Sequence, residues 1–185
     1  MEAGVDMNKE KIIEFVRPYY AKKDIMHNMW HIELVDKWVN KILEMTSYKI
    51  NRDHLTFATY FHGFIYSHEA DIKAWLKTQG VANKDIEKIV QIAFESQREE
   101  VPESIEGKIL HDAHLLEGGK VYLITKCLIT GSLRGQTLLE TIDYIEENII
   151  EKSICYLPET KALFKRTNKF TRDFITELKS GILID

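Results

Sequence analysis

Apolar residues recur at helical spacing along most of the chain. Between Lys9 and Tyr20 they fall at positions i, i+3, i+4 and i+7, which places them on one face of an α-helix. Similar stripes, bounded by capping residues, glycine or proline, continue through the rest of the sequence. They predict helices over residues 9–20, 27–45, 53–61, 70–76, 83–94, 103–116, 120–130 and 137–149, and from residue 158 onwards.

One short apolar segment is ambiguous. Residues 122–125 have the length and composition of a strand as well as of a buried helix, and periodicity alone does not separate the two. No series of alternating apolar and polar residues and no Asn-Gly hairpin occurs elsewhere in the chain. We therefore predict an all-α helical bundle.

Length and composition fit one globular domain. The chain has 185 residues, of which 44% are hydrophobic, and its 3 prolines and 9 glycines are too few for a disordered or collagen-like protein. We expect a single domain over residues 1–185, with the polar residues 1–8 as a flexible N-terminal extension. The apolar helix predicted at residues 120–130 suits either the core of a monomer or the interface of a homodimer, so the sequence does not decide between these two states.

Charge and cysteine content indicate the cellular compartment and the classes of partner. A net charge of -4 argues against a nucleic-acid partner. No apolar run reaches the roughly 18 residues of a membrane span, and the first residues lack the apolar core of a signal peptide. Cys127 and Cys155 lie far apart and fit no disulfide or zinc framework. We therefore expect a cytoplasmic protein without a membrane or nucleic-acid partner.

The seven histidines are unevenly distributed, because all of them lie between positions 27 and 114. This clustering indicates a site. His27 and His31 are four residues apart and share one helix face, as zinc ligands often do, although a half-solvated surface pair has the same spacing. His62 lies in an apolar stretch beside Gly63. It is either a core histidine next to a packing glycine or a site residue.

A third histidine segment ends the helix predicted at residues 103–116. It contains His111, Asp112 and His114 after an apolar run. Aspartate is unfavourable inside a helix, and a carboxylate beside imidazoles suits a metal site or an acid–base pair. A solvated turn before Gly118 is the alternative. The three histidine segments lie on three predicted helices, an arrangement from which helical bundles build metal sites.

The order of these histidine segments along the chain resembles that of the HD-domain superfamily of metal-dependent phosphohydrolases. A His-Ile-x-x-Val motif starts at His31, and His62 resembles the histidine of the family's His-Asp doublet. The Ile-Leu-His-Asp-Ala segment that starts at Ile109 is similar to a later acidic element of the family. The resemblance extends from about Asp24 to the last helix. It implies an all-helical bundle with a metal ion at its centre.

The resemblance also implies a set of site residues. The implied roles are metal ligation by His31, His62 and Asp112, with His27 as an extra ligand, proton transfer by His68, His111 or His114, and phosphate binding by Arg134 and Lys120. The ion would be zinc, manganese, iron or nickel, because imidazole and carboxylate suit each of them. The substrate would be a small phosphorylated metabolite or nucleotide, attacked by a metal-activated water.

One departure from the family pattern changes this chemistry. Gly63 stands where the aspartate of the doublet is expected, and glycine offers no ligand atom. Three protein ligands still suffice for catalytic zinc and resemble the 2-His-1-carboxylate set of non-haem iron, but a two-metal site loses its bridging carboxylate. The leading hypothesis is a metal-dependent phosphohydrolase. The alternatives are a degenerate member that binds a small ligand or protein partner without hydrolysis, and an iron-dependent oxygenase.

Overall fold

The regular structure of the chain is α-helical, as the sequence predicts. The computed structural model describes residues 9–182, and within that range there is no strand, so residues 122–125 are helical. The expected N-terminal extension, residues 1–8, lies outside the described residues. The helices are α1 (Lys9–Tyr20), α2 (Met29–Met45), α3 (Arg52–Phe61), α4 (Ile65–Thr78), α5 (Asn83–Glu95), α6 (Ile105–Leu116), α7 (Gly119–Leu133), α8 (Leu138–Asn148) and α9 (Pro158–Ile182).

The largest difference from the predicted boundaries concerns α4. The sequence predicts this helix only from Ala70, whereas it begins at Ile65. His68 inside it has non-helical backbone angles, with φ -137° and ψ 29°, so the helix is kinked there. The kink rotates the residues before it relative to those after it. This interrupts the apolar periodicity on which the prediction depends.

Side-chain caps fix the starts of the helices that carry the histidines. Asn28, Asn51 and Ser104 each accept a hydrogen bond from a backbone N–H in the first turn of α2, α3 and α6. Such a cap satisfies one of the N–H groups that the helix itself leaves unpaired, and contributes about 1 kcal/mol. Because it also fixes where the helix begins, it fixes the direction in which the side chains further along the helix point.

The largest hydrophobic cluster lies among α1 to α6, where residues such as Ile32, Phe61 and Leu110 are fully buried. Helices α7 to α9 take part in two smaller clusters, one around Leu116 and one around Ile142. Helix α7 is apolar but largely half-exposed. Among the described residues, no helix combines the length and apolar composition needed to cross a membrane.

Candidate metal centre

Three histidines from three helices meet in the interior of the bundle. His31 comes from the first turn of α2, His62 caps the end of α3, and His114 lies in the last turn of α6. Each offers a ligand atom, and these atoms all lie within 4.8 Å of one another. The Nε2 atoms of His31 and His62 are 3.2 Å apart.

The outer nitrogen of each ring faces a hydrogen-bond acceptor. His31 Nδ1 lies against the Glu117 carboxylate, and His62 Nδ1 lies 2.7 Å from the Thr59 carbonyl oxygen. His114 Nδ1 is 3.4 Å from the Ser96 carbonyl oxygen. These acceptors favour the tautomer with the proton on Nδ1, which leaves a lone pair on Nε2. Two Nε2 lone pairs then face each other between His31 and His62, an arrangement that a cation between them would stabilise.

Burial keeps the three imidazoles neutral at physiological pH. Desolvation lowers the pKa of His62 to about 4. It also lowers the pKa of His31 and of His114 well below the usual value, with the Lys126 ammonium as the next cause for His31 and the neighbouring His62 for His114. A neutral imidazole is the form that binds metal ions.

Glu117, which is buried, and Lys126, which is partly buried, form an ion pair beside His31. Lys126 reaches from α7 and donates to one carboxylate oxygen of Glu117, and the other carboxylate oxygen accepts from His31 Nδ1. A carboxylate in this position fixes the orientation of a metal-ligating histidine and raises its basicity. Neither residue is predicted from the sequence. The available signal for Lys126 is that it is the only charged residue between positions 121 and 131.

The structure explains the glycine at position 63. A Cβ atom there would lie 2.6 Å from the Tyr20 hydroxyl oxygen and 2.7 Å from a ring carbon of the same residue. The Tyr20 hydroxyl accepts from the Gly63 N–H at 3.2 Å and donates to the Tyr60 carbonyl oxygen at 2.9 Å. The tyrosine therefore occupies the volume that a side chain at position 63 would need, and close packing accounts for the glycine.

The structure does not bring Asp112, expected as a ligand, into the histidine cluster. Its buried carboxylate accepts from the backbone N–H groups of Tyr156 and Leu157, both at 2.9 Å, and from the Thr160 hydroxyl at 2.5 Å. It thus anchors the start of α9. Residues 112 and 114 are separated by about 200° around a helix, so when His114 faces the cluster, Asp112 faces away.

His68 and His111, expected to transfer protons, also lie outside the cluster. His68 is partly exposed on the kinked start of α4, where its Nδ1 lies 3.0 Å from Asp71 and its ring packs on Tyr19. His111 is buried on the Asp112 side of α6 with its ring against Tyr156. The third residue of that set, His114, is in the cluster itself.

A cavity of about 220 Å³ adjoins the cluster, and His114 and His27 line it. The charged side chains in its wall are Glu117, Arg98, Lys126 and Arg134. Arg134 was expected to bind phosphate and lies in this wall. Lys120 was expected to do so as well, but its ammonium lies over the Phe170 ring at 4.5 Å and is not part of the wall.

His27 lies beside the cluster, with its ring centre 5.9 Å from that of His31. Its Nδ1 is 2.8 Å from each carboxylate oxygen of Asp24, which directs Nε2 away from that carboxylate. Burial, followed by the charge of Lys126, lowers the pKa of His27. Three residues therefore form the cluster, and His27 is a neighbour at the cavity wall.

Comparison with solved structures gives the same architecture. A hydrolase of the HD superfamily from Bacillus thuringiensis superposes with a TM-score of 0.75 at 18% sequence identity, covering 95% of this chain and 97% of that one. Bacillus subtilis YpgQ in complex with ADP superposes with a TM-score of 0.74 at 17% identity, covering 95% and 98%. No family model and no curated protein sequence matches significantly. The resemblance to the HD-domain superfamily is therefore confirmed as a likeness of fold over nearly the whole chain.

Proposed function

We propose that this protein is a metal-dependent hydrolase of a small phosphorylated substrate, with one divalent ion held by His31, His62 and His114. The observation that carries the proposal is the set of three neutral imidazoles, two buried and that of His114 half-buried, with their outer nitrogens hydrogen-bonded and their ligand atoms within 4.8 Å of one another. The fold shared with an HD-superfamily hydrolase supports the same class. His114 replaces Asp112 as the third ligand.

The donor atoms fit a metal ion of the zinc type. Zinc binds imidazole nitrogen at about 2.0–2.1 Å, so two ligands of a tetrahedral site are about 3.3–3.4 Å apart. The 3.2 Å separation of the His31 and His62 Nε2 atoms is close to that value. Three protein ligands leave a fourth position for water or substrate. An all-imidazole set favours zinc, iron or nickel over manganese, which prefers oxygen ligands.

A bound divalent ion supplies a Lewis acid that lowers the pKa of a water molecule and polarises a phosphoryl oxygen. The protein supplies orientation and charge. Glu117 holds His31 in place, while Lys126, Arg98 and Arg134 present cationic groups to the adjoining cavity. Guanidinium and ammonium groups are the usual partners of phosphate oxygens. The remaining wall contains apolar side chains such as Leu123 and Phe164, suited to the uncharged part of a substrate.

We assign proton transfer to His27, in place of the histidines that lie outside the cluster. Asp24 accepts the Nδ1 proton, which fixes the tautomer and leaves Nε2 to accept or donate a proton at the cavity. Because its pKa is lowered by burial, His27 is neutral near pH 7 and suited to act as a base. Nucleotides are the first substrates to test, since YpgQ, of the same fold, was solved with ADP.

The test is a hydrolysis assay on metal-loaded protein with nucleoside phosphates and simple phosphomonoesters. We expect phosphate or pyrophosphate release by the native protein and by His68→Ala, a control that removes a histidine outside the cluster. His114→Ala should abolish release. If the native protein binds metal and hydrolyses none of these compounds, the hydrolase proposal fails and ligand binding without hydrolysis replaces it. Oxygen consumption by an iron-loaded protein would instead favour the oxygenase alternative.

A further inference from the structure

Lys23 brings a second ammonium group to the histidine cluster. It follows the last turn of α1, and its Nζ donates to the Gly63 carbonyl oxygen at 2.5 Å. Gly63 is the residue directly after His62. The charge of Lys23 contributes to the lowered pKa of both His62 and His31, so the ammonium lies within electrostatic reach of the cluster.

The ammonium of Lys23 has no close carboxylate partner among residues 9–182. Its close contacts are with neutral groups, namely the Gly63 carbonyl oxygen and the Tyr20 ring, whose centre is 5.6 Å away. The adjacent carboxylate of Asp24 is turned to His27 and to the backbone N–H of Met26. Lys126 differs in this respect, because its charge is compensated by Glu117.

The departure at position 63 bears on the surroundings of Lys23. In the family pattern that the sequence resembles, an aspartate stands there, and it would place a negative charge near Lys23. Here Tyr20 fills the volume of that side chain, and no carboxylate of residues 9–182 forms an ion pair in contact with the ammonium; the charge of Asp24 acts on it only at longer range. The Lys23 side chain is exposed, yet the surrounding protein removes enough water to lower the pKa of its ammonium, a desolvation cost that an anionic ligand would offset.

We propose that Lys23 is a substrate-binding residue that holds an anionic oxygen of the phosphorylated substrate on the His62 side of the cluster. Arg134 and the other cationic side chains of the cavity wall then bind the substrate on the side of the cluster that His114 lines. The proposal rests on the hydrolase function proposed above. It makes the substitution of aspartate by glycine an exchange, in which the site loses a negative ligand and gains a positive group available to phosphate.

Inorganic phosphate is the probe for this role. Zinc-loaded protein of known metal content is titrated with phosphate by calorimetry at low ionic strength, so that screening does not mask the contact. Three proteins are compared, namely the native chain, Lys23→Met and Lys22→Met. Methionine keeps an unbranched stem and removes the charge. Lys22 is the matched control because it is the same residue type, adjacent in sequence and, like Lys23, exposed.

We expect Lys23→Met to weaken phosphate binding about tenfold, as loss of a charge-assisted hydrogen bond does, and Lys22→Met to change it less than twofold. Zinc content and Tm should be the same in all three proteins. Equal affinity in the two variants, or no phosphate binding by zinc-loaded native protein, overturns the role of Lys23. Failure of the native protein to bind zinc overturns this role and the proposed function together, so the two failures are distinguishable.

Discussion

Replacing Asp112 by alanine separates an anchoring role from a metal-binding one. In the structure the carboxylate caps the start of α9 through the backbone N–H groups of Tyr156 and Leu157 and the hydroxyl of Thr160. The Thr160 hydroxyl has a second acceptor, the Leu157 carbonyl oxygen at 2.9 Å, so it does not lose every partner. The two backbone N–H groups do lose theirs.

The loss of stability expected for Asp112→Ala follows from the backbone N–H groups of Tyr156 and Leu157, which lose their acceptor. A buried donor left without a partner costs about 1–3 kcal/mol, and loss of a helix cap costs about 0.5–2 kcal/mol. Because the cap and the N–H groups are the same interaction, we expect Asp112→Ala to lower the free energy of unfolding by about 2–4 kcal/mol. For a chain of this length, 1 kcal/mol corresponds to about 2–4 °C in Tm. The Tm should therefore fall by about 4–16 °C.

The assay combines thermal denaturation, followed by circular dichroism, with metal analysis of the folded protein. Asp143→Ala is the matched control, since Asp143 is an exposed carboxylate on α8. We expect the control to leave Tm and metal content unchanged, and Asp112→Ala to lower Tm while the folded fraction keeps its metal. Loss of metal at an unchanged Tm would refute the anchoring role and restore Asp112 as a ligand.

Three further predictions concern the cluster and its surroundings. Gly63→Ala should destabilise the protein by about 1–3 kcal/mol in urea denaturation, because the new Cβ meets the Tyr20 hydroxyl, and an unchanged midpoint would contradict this packing. Metal-free protein should lose stability as the pH falls from about 6.5 to 4, because His62 in the unfolded chain takes up a proton at a higher pH than folded His62, whose pKa is about 4. The difference between these two pKa values corresponds to about 3 kcal/mol of unfolding free energy. An unfolding free energy that does not change over this pH range would contradict the neutral, buried state of His62. Glu117→Gln should weaken metal binding about 10–100-fold in a competition assay with a chelator, because it removes the carboxylate that orients His31, and unchanged affinity would count against that role.

Much of the fold is predictable from the sequence, because the apolar stripes and caps are local signals. The exception among the helices is the start of α4, where the kink at His68 interrupts the stripe. Of the cluster residues, His31 and His62 are predicted as ligands by the spacing and the family resemblance. The sequence also indicates a site at His114, but it predicts proton transfer there and not metal ligation.

The choice between Asp112 and His114 depends on packing that the sequence does not encode locally. Both lie on α6, and the face that meets α2 and α3 is decided by the long-range core. Glu117 lies 86 residues from its partner His31, and Lys126 reaches the same imidazole from α7. The sequence marks Lys126 only as a lone charge in an apolar helix. Its pairing follows from the way α7 packs on the bundle.

The central claim is that His31, His62 and His114 together hold one divalent ion. Elemental analysis of protein purified without chelator or a histidine tag tests it most directly, comparing the native chain with His114→Ala and Asp112→Asn. We expect about one equivalent of zinc, iron or nickel in the native protein and in folded Asp112→Asn, and none in His114→Ala. Metal that persists in His114→Ala and disappears from Asp112→Asn, or native protein that binds no ion even after incubation with added metal, would contradict it.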